Sequence, residues 1–169
     1  GAGDEPSSCM ELIEFVSAMG HRIVSAGKGK NNPLNFDATP DAYTEEAVRR
    51  HMNPRMLVEF VDGSKTMVEM AAIANATGLI PDCPGMHGPA CSRDELSKVL
   101  IPASAGGVLS SGEGRVDYTI GKGVAPGVFV VAEMDHPRIR ELDLSSLKLV
   151  VYGASPMSPT RLKEALGIF

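Results

Sequence analysis

The sequence predicts a mixed α/β fold of the α+β kind, and three features point to it. Capped segments with helical spacing and strand-like apolar segments both occur, and they do not alternate regularly. The 169 residues are enough to bury a real core. Hydrophobic residues make up 43% and charged residues 22%, the balance of a globular rather than a disordered chain. No internal repeat or low-complexity tract interrupts the pattern.

The elements follow in order. Ser8-Cys9-Met10-Glu11 has the form of a capping box, with Ser8 as N-cap and Glu11 reaching back to its amide. Leu12, Ile13, Val16 and Met19 follow at helical spacing, and Gly20 supplies a left-handed stop. Arg22 to Ala26 reads as a short strand running into a glycine–lysine loop. From Lys28 to Pro40 the chain is polar and without period, as expected of a surface crossing. Pro40 suits the first turn of a helix running to about His51. Asp41, Glu45 and Glu46 lie toward its positive end, and Arg49 and Arg50 toward its negative end. Met56 to Val61 is apolar and fits either a strand or a helix.

Thr66-Met67-Val68-Glu69 forms a second capping box, opening a helix to about Ala76 that Gly78 ends. Apolar residues run almost all round that helix, so it is expected to be buried. Pro81 to Pro89 is a loop punctuated by proline and glycine, and Ser92-Arg93-Asp94-Glu95 opens another capped helix to about Leu100. Ala105 to Gly114 is a glycine-rich loop. Arg115 to Gly121 and Val128 to Met134 read as strands, joined through Gly123-Val124-Ala125-Pro126-Gly127.

Composition removes several classes of function. A net charge of −5 provides no basic footprint for nucleic acid. No apolar run approaches the roughly 18 to 20 residues that span a bilayer. Gly1-Ala2-Gly3-Asp4-Glu5 has neither the basic nor the apolar region of a signal peptide. Three cysteines are too few, and odd in number, for a disulfide framework, so a reducing cytoplasmic setting is expected.

The residues able to carry chemistry gather at a few changes of chain direction. Lys28 and Lys30, among Gly27, Gly29, Asn31 and Asn32, suit an anion such as phosphate: glycines let backbone amides approach, and ammonium groups supply charge. The same pattern is also that of a surface turn with solvated lysines. Lys65 opens a helix whose dipole disfavours its charge, which would lower its pKa and permit proton transfer, with Asp62 and Glu69 placed to position it. Glu69 is equally explained as the capping partner of Thr66. Asp4 and Glu5 precede the first helix, where carboxylates are favoured. Cys83, His87 and Cys91 are evenly spaced, but three groups fall short of the four a structural zinc takes, so no metal is expected. Gly1-Ala2-Gly3 lacks the preceding strand and later glycine of a dinucleotide fingerprint, and Gly121-Lys122 lacks the upstream glycine and following Ser or Thr of a phosphate loop.

Four segments carry a family likeness. Gly3-Asp4-Glu5-Pro6, Ala26-Gly27-Lys28-Gly29-Lys30-Asn31-Asn32-Pro33, Asp62-Gly63-Ser64-Lys65-Thr66-Met67-Val68-Glu69 and Pro84-Gly85-Met86-His87-Gly88-Pro89 resemble the homoserine-dehydrogenase-like oxidoreductases with a C-terminal SAF domain. That group includes 1-deoxy-D-xylulose 5-phosphate reductoisomerase-like enzymes. The likeness covers residues 1–141 and implies a catalytic or substrate domain whose Rossmann-type nucleotide domain and SAF domain are not in this sequence. On that reading the chain alone is inactive, and NAD or NADP is bound mainly elsewhere. Lys65, Asp62, Glu69 and Lys28 would be catalytic; Lys30, Asn31, Asn32, Asp4, Glu5 and His87 would contact a small oxygenated, phosphorylated or non-phosphorylated carbonyl substrate.

Residues 142–169 break the pattern. Asp143 to Pro159, with its Tyr152-Gly153-Ala154 turn, is similar to a strand and turn of adenylate-forming acyl-CoA ligases, and Ser158-Pro159 would open a helix. The phosphate loop those ligases use on ATP is absent from the sequence. Three readings therefore stand: the substrate half of an NAD(P)-dependent oxidoreductase, a non-catalytic binding or assembly module able to self-associate, and a ligase fragment.

Overall fold

The computed structural model describes residues 4–110, 112–133 and 150–153, the last as backbone only. Its first element, α1 (Glu5–Ala18), starts earlier than Ser8, with Asp4 as N-cap and Pro6 in the first turn. Proline lacks the N–H that a first turn leaves unpaired anyway, so it fixes the start and leaves Ser8 inside the helix. The stop is as expected: Gly20 takes φ +82°, its amide donates to Ser17 O at 2.9 Å, and His21 N donates to Val16 O at 3.3 Å. Cys9, Leu12, Ile13 and Val16 are buried, whereas Met19 is half exposed.

The next element corrects the sequence reading most. Strand β1 (Arg22–Lys30) continues through Gly27-Lys28-Gly29-Lys30, the segment expected to be a loop. It is the central strand of a mixed sheet, running parallel to β3 (Arg115–Ile120) on one side and antiparallel to β4 (Val128–Glu133) on the other. Pairing on both sides overrides the local preference of glycine for turns. The glycines are there because the neighbouring backbone comes close. A Cβ on Gly27 would lie 1.6 Å from the Asp117 carbonyl oxygen, and one on Gly29 would lie 1.8 Å from that of Val124.

The sheet is completed by β2 (Ile80–Pro81), parallel to β3, and β5 (Val150–Gly153), antiparallel to β4, in the order β2-β3-β1-β4-β5. The strand expected before the Tyr152-Gly153-Ala154 turn is thus paired in the same sheet. Met134, the 142–149 segment and the helix expected after Ser158 lie outside the described residues.

Between β1 and β2 run three helices, and a fourth lies between β2 and β3. α2 (Thr44–Arg49) is shorter than expected, because Pro40 to Tyr43 forms turns rather than a first helical turn. α3 (Pro54–Val61) settles the ambiguous apolar segment as a helix. Asn53 caps it by accepting from Arg55 N at 2.9 Å, and Pro54 follows at its start. α4 (Ser64–Thr77) begins before Thr66: Gly63 turns at φ +86° and the Asp62 carboxylate accepts from Ser64 N at 2.8 Å. The Thr66 capping box does not form. Nor is α4 buried all round; Thr66, Glu69, Met70 and Ile73 face inward while Val68 is exposed. Ser92 and Glu95 do form their capping box, followed by α5 (Leu96–Val99).

Two cores sandwich the sheet. Helices α1 and α4 pack Cys9, Leu12, Val16, Met70 and Ile73 against Ala26, Val116, Val128 and Val130. On the far face, Leu96, Leu100, Leu109 and Val124 cover Val24, Phe129 and Val131. A register irregularity between Ile23 and Ser25 turns Val24 to that second core. A third, smaller cluster ties Ala47 to Leu57 and Val61.

Because each missing Cβ would meet backbone rather than a movable side chain, Gly27→Ala and Gly29→Ala should each destabilise by about 3 kcal/mol or more. Urea denaturation checks this; a loss near that of an open-site glycine such as Gly20 would refute the close-approach account.

Candidate active site

Side chains alternate along a strand, so Lys28 and Lys30 leave β1 on the same face as Ala26, the face covered by α1 and α4. This places two lysines at the carboxyl end of the central strand, where the first turns of both helices meet. Lys28 pairs with Glu69 of α4 and lies 3.4 Å from Glu5 Oε1 of α1. Lys65 Nζ lies 3.6 Å from Glu69 Oε1, one helical turn along, and 4.9 Å from the centre of the Phe60 ring. Glu69 thus bridges a buried lysine and a partly exposed one.

Lys30 differs. It is 5% exposed and donates to the carbonyl oxygen of Phe60. Among the described residues it forms no ion pair. Burial, reinforced by the Lys28 ammonium, pushes its pKa below the ordinary 10.5, and Asp62 opposes that only in part.

These groups surround a cavity of about 300 Å³ lined by Glu5, Lys28, Lys30, Asn31, Asn32 and Lys65, together with Met52, Phe60, Thr66 and Pro126. Six of the ten residues singled out from the sequence therefore line one space, and Glu69 stands behind Lys28. Asn32 is held by Arg50, whose Nη1 donates to its Oδ1 at 3.0 Å. Asp62 is engaged at the start of α4 and Asp4 is an exposed N-cap.

His87 is not among the lining residues. Its Nε2 is 2.7 Å from the buried Asp82 carboxylate, which also accepts from Ser110 N at 2.7 Å and Ser110 Oγ at 2.8 Å. Its backbone amide and that of Gly88 donate to Asp117 at 3.0 and 2.9 Å, with Tyr118 N a third donor at 2.8 Å. Burial pushes the Asp117 carboxyl up, against the three amides that favour its charge. These two carboxylates anchor the Pro81–Pro89 loop to β3. Cys91 is buried against Thr119, its Sγ 3.0 Å from Oγ1, and no three His, Cys, Asp or Glu side chains converge as metal ligands among the described residues. Burial raises the Cys9 thiol to about 12, which leaves it inert.

The sequence reading missed Met52, Phe60, Thr66 and Pro126. They come from separate elements and carry no local signal; the apolar segment ending at Val61 was visible, but not that its Phe60 would form a wall. The whole arrangement is one in which buried ammonium groups, fixed by carboxylates, face a cavity large enough for a small molecule.

Such a constellation on a mixed α/β domain suits the catalytic portion of an enzyme. Over residues 3–156 the chain matches the family described as oxidoreductase DRL, catalytic domain, and it belongs to that family. The match runs across position 141, where the sequence reading places a boundary. No curated protein matches the chain. Among the described residues, no helix is long and apolar enough to cross a membrane.

Two tests follow from the electrostatics. Removing one partner of a buried pair strands a charge, so Glu69→Ala should cost about 3 kcal/mol, and adding Lys28→Met should recover most of it. Simple additivity of the two losses in a denaturation cycle would contradict the pairing. For Lys30, the unfolded chain binds more protons than the folded one between the lowered pKa and 10.5, so stability rises with pH across that window and is flat below it. Lys30→Met should remove that rise, as read by chemical denaturation at a series of pH values.

Proposed function

We propose that this domain binds and activates a small oxygenated carbonyl substrate, phosphorylated in the favoured case, for reduction by NADH or NADPH. This places it with the homoserine-dehydrogenase-like and 1-deoxy-D-xylulose 5-phosphate reductoisomerase-like oxidoreductases, in the cytoplasm. The observation that carries the reading is the convergence of Lys28, Lys30 and Lys65 on one cavity, against the carboxylates of Glu5 and Glu69. The first turns of α1 and α4 add the positive ends of two helix dipoles. An anionic or strongly polarised oxygen is what such a site favours.

Lys28 is the residue for the reacting oxygen. Its ammonium is buried and fixed by two carboxylates, so it would meet a substrate carbonyl without reorganising and stabilise the charge that grows on that oxygen. The product alkoxide takes a proton from Lys28. Glu69, which also touches Lys65, offers a path for that proton's replacement from the partly exposed side. Asn31 and Asn32 supply donors and acceptors for hydroxyl groups, and Lys30 supplies a further N–H donor at the cavity wall.

The described residues do not fit the nicotinamide dinucleotide itself. Gly27 and Gly29 are pressed against the Asp117 and Val124 carbonyls inside a strand and cannot cradle a pyrophosphate. In this reading the dinucleotide is held mainly outside them, and the isolated chain turns over little or no substrate.

NADH and NADPH oxidation should be followed with phosphorylated ketoses and aldehydes, using the chain alone and with a nucleotide-binding domain from a relative. The expected result is turnover on complementation that falls by about 100-fold or more in Lys28→Met. Turnover that survives Lys28→Met unchanged would sink the assignment.

A further inference from the structure

We infer that Lys30 is a nucleophilic lysine, whose amine condenses with small aldehydes or ketones admitted to the cavity to form an imine. This chemistry is separate from carbonyl reduction and shares with it only the premise that the cavity admits a carbonyl compound.

The two strand lysines are neighbours on one face, yet their surroundings are opposite. Lys28 is committed to Glu69 and Glu5 and remains an ammonium donor. Lys30 lines the same cavity, is as deeply buried, and has a backbone carbonyl for a partner. That carbonyl can accept from an amine as well as from an ammonium, and unlike a carboxylate it carries no charge that holds the proton in place. An amine donating one N–H to Phe60 O keeps its lone pair directed away from that oxygen.

The charges facing Lys30 come from every packed element. Lys28 stands two residues along β1. Glu5 of α1 and Glu69 of α4 are occupied by Lys28, and Glu69 also by Lys65. Asp62, at the end of α3, favours the charge of Lys30, and its Oδ1 is engaged by Ser64 N. Burial and the adjacent ammonium together favour the neutral amine, and the lowered pKa agrees.

The condensation balances without a redox partner. The Lys30 lone pair forms the C–N bond while the carbonyl π pair moves to oxygen, which takes a proton from Lys28. The nitrogen loses a proton, which restores Lys28. Lys28 then protonates the hydroxyl, which leaves as water, and the second proton lost from nitrogen returns to Lys28 and gives the neutral imine. Amine and carbonyl compound become imine and water.

The test uses pyridoxal phosphate as an aldehyde probe carrying an anion, with borohydride to trap the imine and peptide mass spectrometry to locate it. At neutral pH the adduct at Lys30 should be severalfold that at the exposed Lys98 and Lys122, since a lowered pKa raises the amine fraction. Unfolding in urea should abolish the preference. Lys28→Met should weaken it and move its pH profile upward; if that variant does not fold, the wild-type profile, rising below that of the exposed lysines, carries the same information. An adduct spread evenly over exposed lysines, or concentrated on Lys65 or Lys28, overturns the inference. NAD(P)H-dependent turnover on complementation without selective labelling removes this inference alone. Selective labelling without turnover on complementation leaves it standing and removes the reading above.

Discussion

The buried pair between Lys28 on the central strand and Glu69 on α4 is the constraint around which this domain is arranged. A lysine in the middle of a sheet, covered by two helices, cannot keep its charge unless carboxylates come to it. Glu5 does so from the first turn of α1 and Glu69 from the second turn of α4. The helices must therefore begin at the carboxyl end of β1, and the crossing from β1 through α2 and α3 must return there. The cavity is the space left where these ends meet, bounded by Phe60 and Met52 from the crossing and Pro126 from the β3–β4 connection.

A second constraint works on the backbone. Gly27 and Gly29 alternate with Lys28 and Lys30, so along β1 close backbone approach and charge presentation interleave residue by residue. The glycines let β3 and the Val124 segment press on the strand, while α1 and α4 cover the lysine face, keep water from it and strengthen each electrostatic contact there. A pair of identical side chains two residues apart thereby acquires two different chemistries. One has carboxylates and stays an ammonium; the other has a carbonyl and a like charge beside it.

The β3 edge of the sheet has its own anchors. Asp82 and Asp117 hold the proline- and glycine-punctuated loop by accepting from His87, Gly88, Ser110 and Tyr118. Their hydrogen bonds satisfy backbone amides of the loop, of Ser110 and of β3. His87 serves that loop and lies apart from the lysine cavity, although it shares a family-like segment with nothing local to separate the two roles.

Much of this could be read from residue order alone. The mixed α+β class, the Gly20 stop, the Ser92–Glu95 capping box and the strands from Arg115 and Val128 depend on short-range chemistry that neighbouring residues express. Lys28, Lys30, Asn31, Asn32, Lys65 and Glu5, by contrast, are singled out as a set by the family likeness of their segments. Residue order misplaced what long-range pairing controls. Glycines that locally favour a turn became strand once β3 and β4 flanked them. Thr66 with Glu69 looked like a cap, but Gly63 and Asp62 had already started the helix, which freed Glu69 for Lys28. The difference between Lys28 and Lys30 was likewise invisible, because it rests on which groups from distant elements reach each amine, and only the packed structure decides that.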